Sequence, residues 1–434
     1  GFVFYIKRKT ISRNMKKVLI ITYYWPPSGG AGVQRWVKFV KYFNEQNINP
    51  FIISVDPKYA SYPLVDNSLI NNIPDNTQVY LTRTFEPYSL YKKINNNQTP
   101  YAGFANEGKP NFIQKASRFI RGNFFIPDSR RGWNKFAYNK AIEIIKKENI
   151  KTVITTSPPH STQLIGLKLK QELNINWIAD LRDPWTDIYY YKSMLHTNWA
   201  KSKDLNYERN VLEKSDKIVV VSESIRQLLK NKSKKIKESK IHVIPNGFDK
   251  DDFNISSLTK IKEFTISYIG TITKDYPVDS LKKAISKSEL NIQFTGKADY
   301  TTKQKLHDIA SFNEHVKHQE SIKLLLSSDM LLLIIPKIIN NEGILTGKLF
   351  EYLGARRPIL CIGPKDGDAA KIIEECKAGK TFDYFDEKGI YNFIDNCREN
   401  RFEFQNNNYV KYSRSKLTKD LSLILDNHLD NQKL

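Results

Sequence analysis

The sequence predicts an α/β protein built from two doubly wound domains, each around a parallel sheet. Three observations predict it. The chain has 434 residues, too long for one ordinary core and natural for two domains of about 200 residues each. Short β-branched runs alternate with stretches of helical spacing, the pattern of βαβ units. The alternation stops and restarts near residues 253–262, so the duplication is one of architecture, with no short repeat.

The first domain opens with KVLIITYY (17–24), a buried strand by its β-branched run. VQRWVKFVKYF (33–43) then places Val33, Trp36, Val37, Val40 and Phe43 at helical spacing, and PFIISVDP (50–57) is the next strand. Further strands are expected at TQVYLTR (77–83), KTVITTS (151–157), NWIADLRD (176–183), KIVVVS (217–222) and IHVIPNG (241–247). Residues 89–133 break the rhythm, being Asn-rich and then basic and aromatic in SRFIRGNFFIPDSRRGW. In the second domain the strands are FTISYIG (264–270), LNIQFTG (290–296), DMLLLIIP (329–336) and RPILCIG (357–363). Its helices are LTGKLFEYLGA (345–355) and AAKIIEECKAG (369–379), and a polar tail leads to a last helix, KLTKDLSLILDNHL (416–429). The expected division is an extension at 1–14, domains at 15–252 and 253–412, and a terminal helix in 413–434.

Composition is that of a soluble globular chain, 40% hydrophobic and 26% charged. No apolar run reaches the roughly 18 residues that would read as a membrane-spanning helix. The net charge of +22 points to nucleic acid, an anionic membrane surface or anionic substrates. Residues 108–140 hold eight Lys or Arg against the single acid Asp128, interleaved with aromatics, which suits a membrane interface. A similar run at 225–240 suits either that or a solvated lysine-rich face. Three cysteines, Cys361, Cys376 and Cys397, lack metal-ligand spacing and read as reduced thiols of a cytoplasmic protein. The N-terminus lacks the apolar core of a signal peptide, and Met15 directly precedes the first strand.

Ligands of open parallel sheets bind beyond the carboxyl ends of the strands. The loop PPSGGAG (26–32) sits there. Gly30 and Gly32 match a dinucleotide fingerprint, but the third glycine position is Arg35, and no Lys-Ser/Thr follows for a P-loop. Small residues such as Gly29 and Gly30 at a helix N-terminus suit close approach to a phosphate or sugar, or simply a tight turn. SPPHS (157–161) presents His160 after two prolines. DLRDPWTD (180–187) ends another strand with Arg182 and Asp183, a substrate contact or a local ion pair. In GILTGKLFEYLGA (343–355), Thr346 and Gly347 open a helix, and Lys348 and Glu351 share one face. The lysine suits a diphosphate, the carboxylate a vicinal diol such as ribose. A plain surface Lys–Glu pair is the alternative. YIGTITKDYP (268–277) adds Gly270 and Lys274 after a strand.

In that order, PPSGGAG, SPPHS, DLRDPW, SDKIVVVSE, IHVIPNGFD and TGKLFEYLGARRPIL resemble glycosyltransferase family 4, the retaining nucleotide-sugar transferases of GT-B fold. The likeness runs from about Met15 to the C-terminus. It implies two Rossmann-like domains facing a cleft, acceptor on the N-terminal one and donor on the C-terminal one, with the last helix crossing back onto the N-terminal domain. Carried onto matching positions, Glu351 is the second glutamate of E-x7-E and holds the ribose. Lys348 and Lys274 neutralise the diphosphate, Gly29 and Gly30 lie against it or the sugar, and His160 lies near the donor sugar. Arg182 and Asp183 are read as acceptor contacts at the catalytic centre. The first glutamate of the motif is replaced by Gly343, so either a local bulge presents the adjacent Glu342, or that contact is made otherwise, or the donor differs.

The family resemblance implies no metal and no resident cofactor. The expected reaction moves a sugar from a nucleotide diphosphate, read as UDP, to a lipid-linked glycan at the inner face of the membrane, in cell-surface polysaccharide biosynthesis such as capsule or lipopolysaccharide. The competing readings are a nucleotide-sugar epimerase or hydrolase of the same fold, a non-catalytic descendant of that fold, since Gly343 breaks one motif, and a basic nucleic-acid-binding protein. The absence of a nucleic-acid motif argues against the last.

Overall fold

The structure, a computed structural model, describes residues 15–85, 112–258, 263–286, 290–399, 402 and 406–426. The expected extension at 1–14 lies outside the described residues. So do residues 86–111 of the Asn-rich stretch.

The first series runs β1 (Lys16–Ile21), α1 (Ala31–Phe43), β2 (Ile48–Val55), β3 (Gln78–Thr82), α2 (Phe112–Phe124), α3 (Asn134–Glu148), β4 (Thr152–Ser157), α4 (Ser161–Glu172), β5 (Asn176–Leu181), α5 (Asn198–Lys214), β6 (Lys217–Val220), α6 (Glu223–Lys230) and β7 (Ile241–Val243). The second runs β8 (Thr265–Ile269), α7 (Asp279–Ile285), β9 (Asn291–Thr295), α8 (Tyr300–Leu306), β10 (Ser311–Asn313), α9 (His318–Ser327), β11 (Met330–Ile334), α10 (Gly347–Ala355), β12 (Ile359–Ile362), α11 (Asp368–Glu375), β13 (Gly379–Phe382) and α12 (Glu387–Glu399). Helix α13 (Arg414–Asp426) closes the described chain. β1 stops at Ile21 although the apolar run continues. Tyr23 and Trp25 are still buried, but in the loop. Apolar continuity reports burial, and here burial outlasts pairing.

The described strands all pair in parallel, in a seven-stranded sheet of order β3-β2-β1-β4-β5-β6-β7 and a six-stranded sheet of order β10-β9-β8-β11-β12-β13. In each sheet the order reverses beside the first strand. One reversal lies between β1 and β4, where Leu19 pairs with Val153, and the other between β8 and β11, where Ile266 pairs with Met330. Chains leave such a pair toward opposite faces, which opens a crevice at the carboxyl ends. The loops after β1, β4, β8 and β11 therefore border the two crevices.

The chain forms two compact units, Gly1–Ile244 with Thr418–Leu434, and Pro245–Leu417. Residues 245–252 group with the second unit through backbone bonds. Phe248 N donates to Tyr412 O at 3.1 Å, and Arg414 N donates to Phe248 O at 2.8 Å. The core of the first unit holds Trp133, Trp177, Tyr23 and Phe51. Both indoles are satisfied, Trp133 Nε1 donating to Thr82 Oγ1 at 2.7 Å and Trp177 Nε1 to Thr155 Oγ1 at 2.8 Å. From Thr418 on, α13 belongs to the first unit and buries Leu421, Ile424 and Leu425. Lys217 Nζ donates to Ile424 O at 2.5 Å and Lys16 Nζ to Leu425 O, so two lysines cap carbonyls left open at the helix end. The last helix thus returns to the N-terminal unit, as expected.

Candidate active site

In the first unit, the loop after β1 enters α1 through Gly30. Its φ of +105° is a conformation that L side chains rarely adopt. Gly29 has a packing reason instead, because a Cβ there would sit 3.0 Å from the side chains of Leu64 and Asp66. Gly32 is where Arg182 arrives, with guanidinium atoms 2.3–2.4 Å from an added Cβ. Arg182 Nε donates to Ser157 O at 3.2 Å. No side chain caps the start of α1, so its first amides remain available at the positive end of the helix.

Arg35, the residue that spoils the dinucleotide fingerprint, points inward. Its Nη2 donates to Asp180 Oδ1 at 3.1 Å, and both side chains are essentially inaccessible. Trp36 Nε1 and Thr156 Oγ1 complete the carboxylate at 2.9 and 2.7 Å. The ion pair of DLRDPW is therefore Asp180 with Arg35, not a local Arg182 contact.

His160 is half-buried at the N-cap of α4 and stacks on Trp185, ring centroids 4.8 Å apart and planes 13° from parallel. Burial and the nearby Arg182 push its pKa down to about 3, so the ring is neutral at physiological pH. A neutral imidazole can donate or accept one hydrogen bond but cannot supply an acid proton. Burial raises the Asp183 carboxyl, while Arg182 opposes the shift. His160, Arg182 and Asp183 are thus electrostatic neighbours. Asp128 secures the start of α4, accepting from Ser161 N at 2.7 Å and Ser161 Oγ at 2.8 Å.

The stretch 115–133 divides. In α2, Lys115, Phe119, Ile120 and Phe124 are exposed. By contrast Ile126, Arg130 and Trp133 are buried, Arg130 donating to Ser61 O at 2.7 Å. The exposed apolar side chains of the stretch lie in its helical half. Asn123 ties it to the next loop, donating to Leu195 O at 3.0 Å and accepting from Thr197 N at 2.6 Å, which brings exposed Leu195 and Trp199 alongside. No described helix is long and apolar enough to cross a membrane.

In the second unit, the loops after β8 and β11 converge on Lys348. Gly270 has φ +127° and lies against the lysine stem, an added Cβ falling 2.7 Å from Lys348 Cε. The ammonium donates to Tyr268 OH at 2.5 Å and lies 4.1 Å from the centre of that ring. Tyr268 in turn donates to Thr271 O at 2.7 Å. No carboxylate lies within ion-pair distance of Lys348 among the described residues, and burial lowers the amine to about 7, with Glu351 opposing. Thr346 stands at the N-cap of α10, yet its hydroxyl does not cap the helix and is buried without a partner. The amides of Gly347 and Lys348 therefore open toward the same place.

Glu351 Oε1 lies 3.0 Å from His318 Nε2, both side chains about a quarter exposed. Lys274 stands apart. Its side chain is exposed and only its backbone is anchored, N donating to Asp299 Oδ2 at 2.6 Å. The structure brings Gly270, Thr346, Gly347, Lys348 and Glu351 together, and among the described residues no hydrogen bond or ion pair ties the Lys274 side chain to them. Gly343 ends a 3-10 turn (Asn341–Gly343) that leaves Glu342 exposed. The turn is pinned by Asn341 Nδ2, which donates to Pro336 O at 3.0 Å and Tyr384 OH at 2.9 Å.

Sequence reasoning missed Tyr268, His318, Trp185, Asp204 and Asp128. For Asp204 a signal existed, since Ala200, Asp204, Glu208 and Val211 form the buried stripe of α5. Acids on a buried stripe imply partners. His318 lies in a polar stretch without pattern and gives none.

With this geometry in place, known proteins narrow the reading. Residues 102–252 match the model of Glycosyltransferase Family 4. They are a family 4 glycosyltransferase domain. No curated protein matches the sequence significantly. Among solved structures, a glycosyltransferase from Rickettsia africae is 15% identical, covers 95% of this chain and 94% of its own, and has a TM-score of 0.55. Anabaena HepE in complex with UDP-glucose is 10% identical, covers 94% of each chain, and has a TM-score of 0.54. The pneumococcal O-GlcNAc transferase GtfA, in complex with UDP and GlcNAc, is 12% identical and covers 96% of this chain and 100% of its own, with a TM-score of 0.56. At these identities the likeness establishes the fold. The two parallel-sheet units of this glycosyltransferase are those of GT-B.

Proposed function

We propose that this glycosyltransferase moves a sugar, with retention of configuration, from a UDP-sugar to a lipid-linked glycan at an anionic membrane surface during assembly of a cell-surface polysaccharide. The observation that carries the donor half is Lys348. A half-buried lysine whose ammonium has, among the described residues, a phenol as its one hydrogen-bond partner is an incomplete site. A diphosphate completes it, with the amides of Gly347 and Lys348 and the Thr346 hydroxyl as further donors. Glu351, oriented by His318, accepts from the ribose hydroxyls. UDP is preferred because HepE and GtfA carry UDP-glucose and UDP in the same fold.

As the glycosidic bond breaks, negative charge grows on the leaving diphosphate, and this preorganised cation and amide set stabilises it. Retention follows if the departing phosphate itself takes the acceptor proton during front-face attack. Neutral His160 then orients a sugar hydroxyl, and Arg182 and Asp183 contact the acceptor. Lys274 serves the diphosphate only through an exposed side chain. We propose no metal for this step, so turnover persists in EDTA. Loss restored by magnesium or manganese contradicts that. The outward face of α2 supports the membrane assignment.

A thermal-shift screen of UDP, GDP, ADP and their sugar conjugates tests the donor. A ligand of the folded state raises the midpoint by an amount that grows with the logarithm of its concentration over its Kd. Stabilisation by UDP compounds alone is expected. Stabilisation by none of them overturns the reading.

A further inference from the structure

Below the loop that follows β5 lies a buried polar group with no part in donor or acceptor binding as assigned above. α5 carries Asp204 and Glu208 one turn apart, both almost fully buried. Each carboxylate grips the DPWTD loop. Asp204 Oδ1 accepts from Trp185 Nε1 at 2.8 Å, and its Oδ2 accepts from Tyr191 OH at 2.9 Å. Glu208 Oε2 accepts from Thr186 Oγ1 at 2.5 Å and from Lys232 Nζ at 3.1 Å. Buried carboxylates are expensive, and an apolar helix face would pack here at lower cost. Their effect is to fix the loop, and in particular the Trp185 indole.

That indole is what His160 rests on, at 4.8 Å and 13°. His160 Nδ1 is buried with no hydrogen-bond partner, so no bond from that nitrogen fixes the ring plane. The stack on Trp185 sets it, and the Asp204 bond prevents the indole from rotating. We propose that Asp204 is a positioning residue for sugar transfer, acting through Trp185 to fix the His160 ring. The proposal rests on the reading that His160 acts in transfer.

Three variants separate the links. Asp204→Leu removes the acceptor, Asp204→Asn keeps an oxygen for the indole, and Trp185→Phe keeps a ring to stack on but loses the N–H. Turnover is read as UDP released from whichever of UDP-glucose, UDP-galactose and UDP-N-acetylglucosamine is cleaved fastest. Asp204→Leu and Trp185→Phe are expected to lower kcat by about tenfold to a hundredfold with KM unchanged, the scale of an ångström misplacement. Asp204→Asn is expected to keep most of kcat. In a His160→Ala background, Asp204→Leu is expected to cost nothing more. Full additivity there overturns the proposal, as does an Asp204→Asn defect equal to that of Asp204→Leu. Full activity of His160→Ala overturns the underlying reading and the proposal with it. Independently of turnover, the His160 imidazole NMR resonances are expected to shift in Asp204→Leu but not in Asp204→Asn. Unchanged resonances in Asp204→Leu overturn the positional link itself.

Discussion

Lys348 carries the strongest physical commitment in the molecule. Its amine, lowered to about 7 by burial, is only partly charged at neutral pH in the free protein. A bound diphosphate favours the charged form and raises that pKa, so binding takes up a proton above pH 7. UDP affinity is therefore expected to fall as pH rises from 7 toward 9, by at most about tenfold per unit, the limit for one linked proton. Calorimetry in buffers of different ionisation enthalpy at pH 8 checks it, and an absence of proton uptake speaks against a phosphate on this amine. Arg35 supports a second expectation. Arg35→Met strips the buried Asp180 of its cation, leaving only Trp36 and Thr156 as donors, and is expected to cost about 3 kcal/mol. A urea titration measures this, and a loss below about 1 kcal/mol contradicts the pair's role. Arg35 also shows where a sequence stops being legible. It registers as a missing glycine, while its partner lies 145 positions away. Glu351 was legible as a candidate site residue, but the His318 beside it was not.

At the scale of elements, the apolar runs identified the long buried strands because a parallel sheet covered on both faces needs continuous hydrophobicity. The short edge strands β10 and β13 escaped. SFN offers only a half-buried phenylalanine between exposed polar residues, and GKTF begins with glycine behind a helix. Helix α2 is a case in which charge and aromatic content were legible and direction was not. Half of that stretch became core because Trp133 and Arg130 found buried acceptors in Thr82 and Ser61. The outward half makes a specific expectation. Phe124, 74% exposed, and Ile120, 49% exposed, can be changed to Asp with stability held within about 0.5 kcal/mol. Those variants should lose sedimentation with phosphatidylglycerol vesicles at low salt. Retained binding assigns the membrane contact, if any, elsewhere.

For the whole molecule, two sheets of the same strand order place a crevice in each unit beside the first strand. The glycine loops and helix starts singled out in the sequence border those crevices, which is why motif order was informative where single motifs were weak. The central claim is that the second unit holds a nucleoside diphosphate on Lys348. Titration calorimetry of UDP against the wild type and Lys348→Met tests it most directly. The substitution removes a half-buried charge that has no acid within ion-pair distance among the described residues, so the variant is expected to fold. UDP is expected to bind the wild type, and its affinity to fall about a hundredfold or more in Lys348→Met, the loss of a charge-assisted contact at a half-buried site. Equal affinity in the two proteins would contradict it.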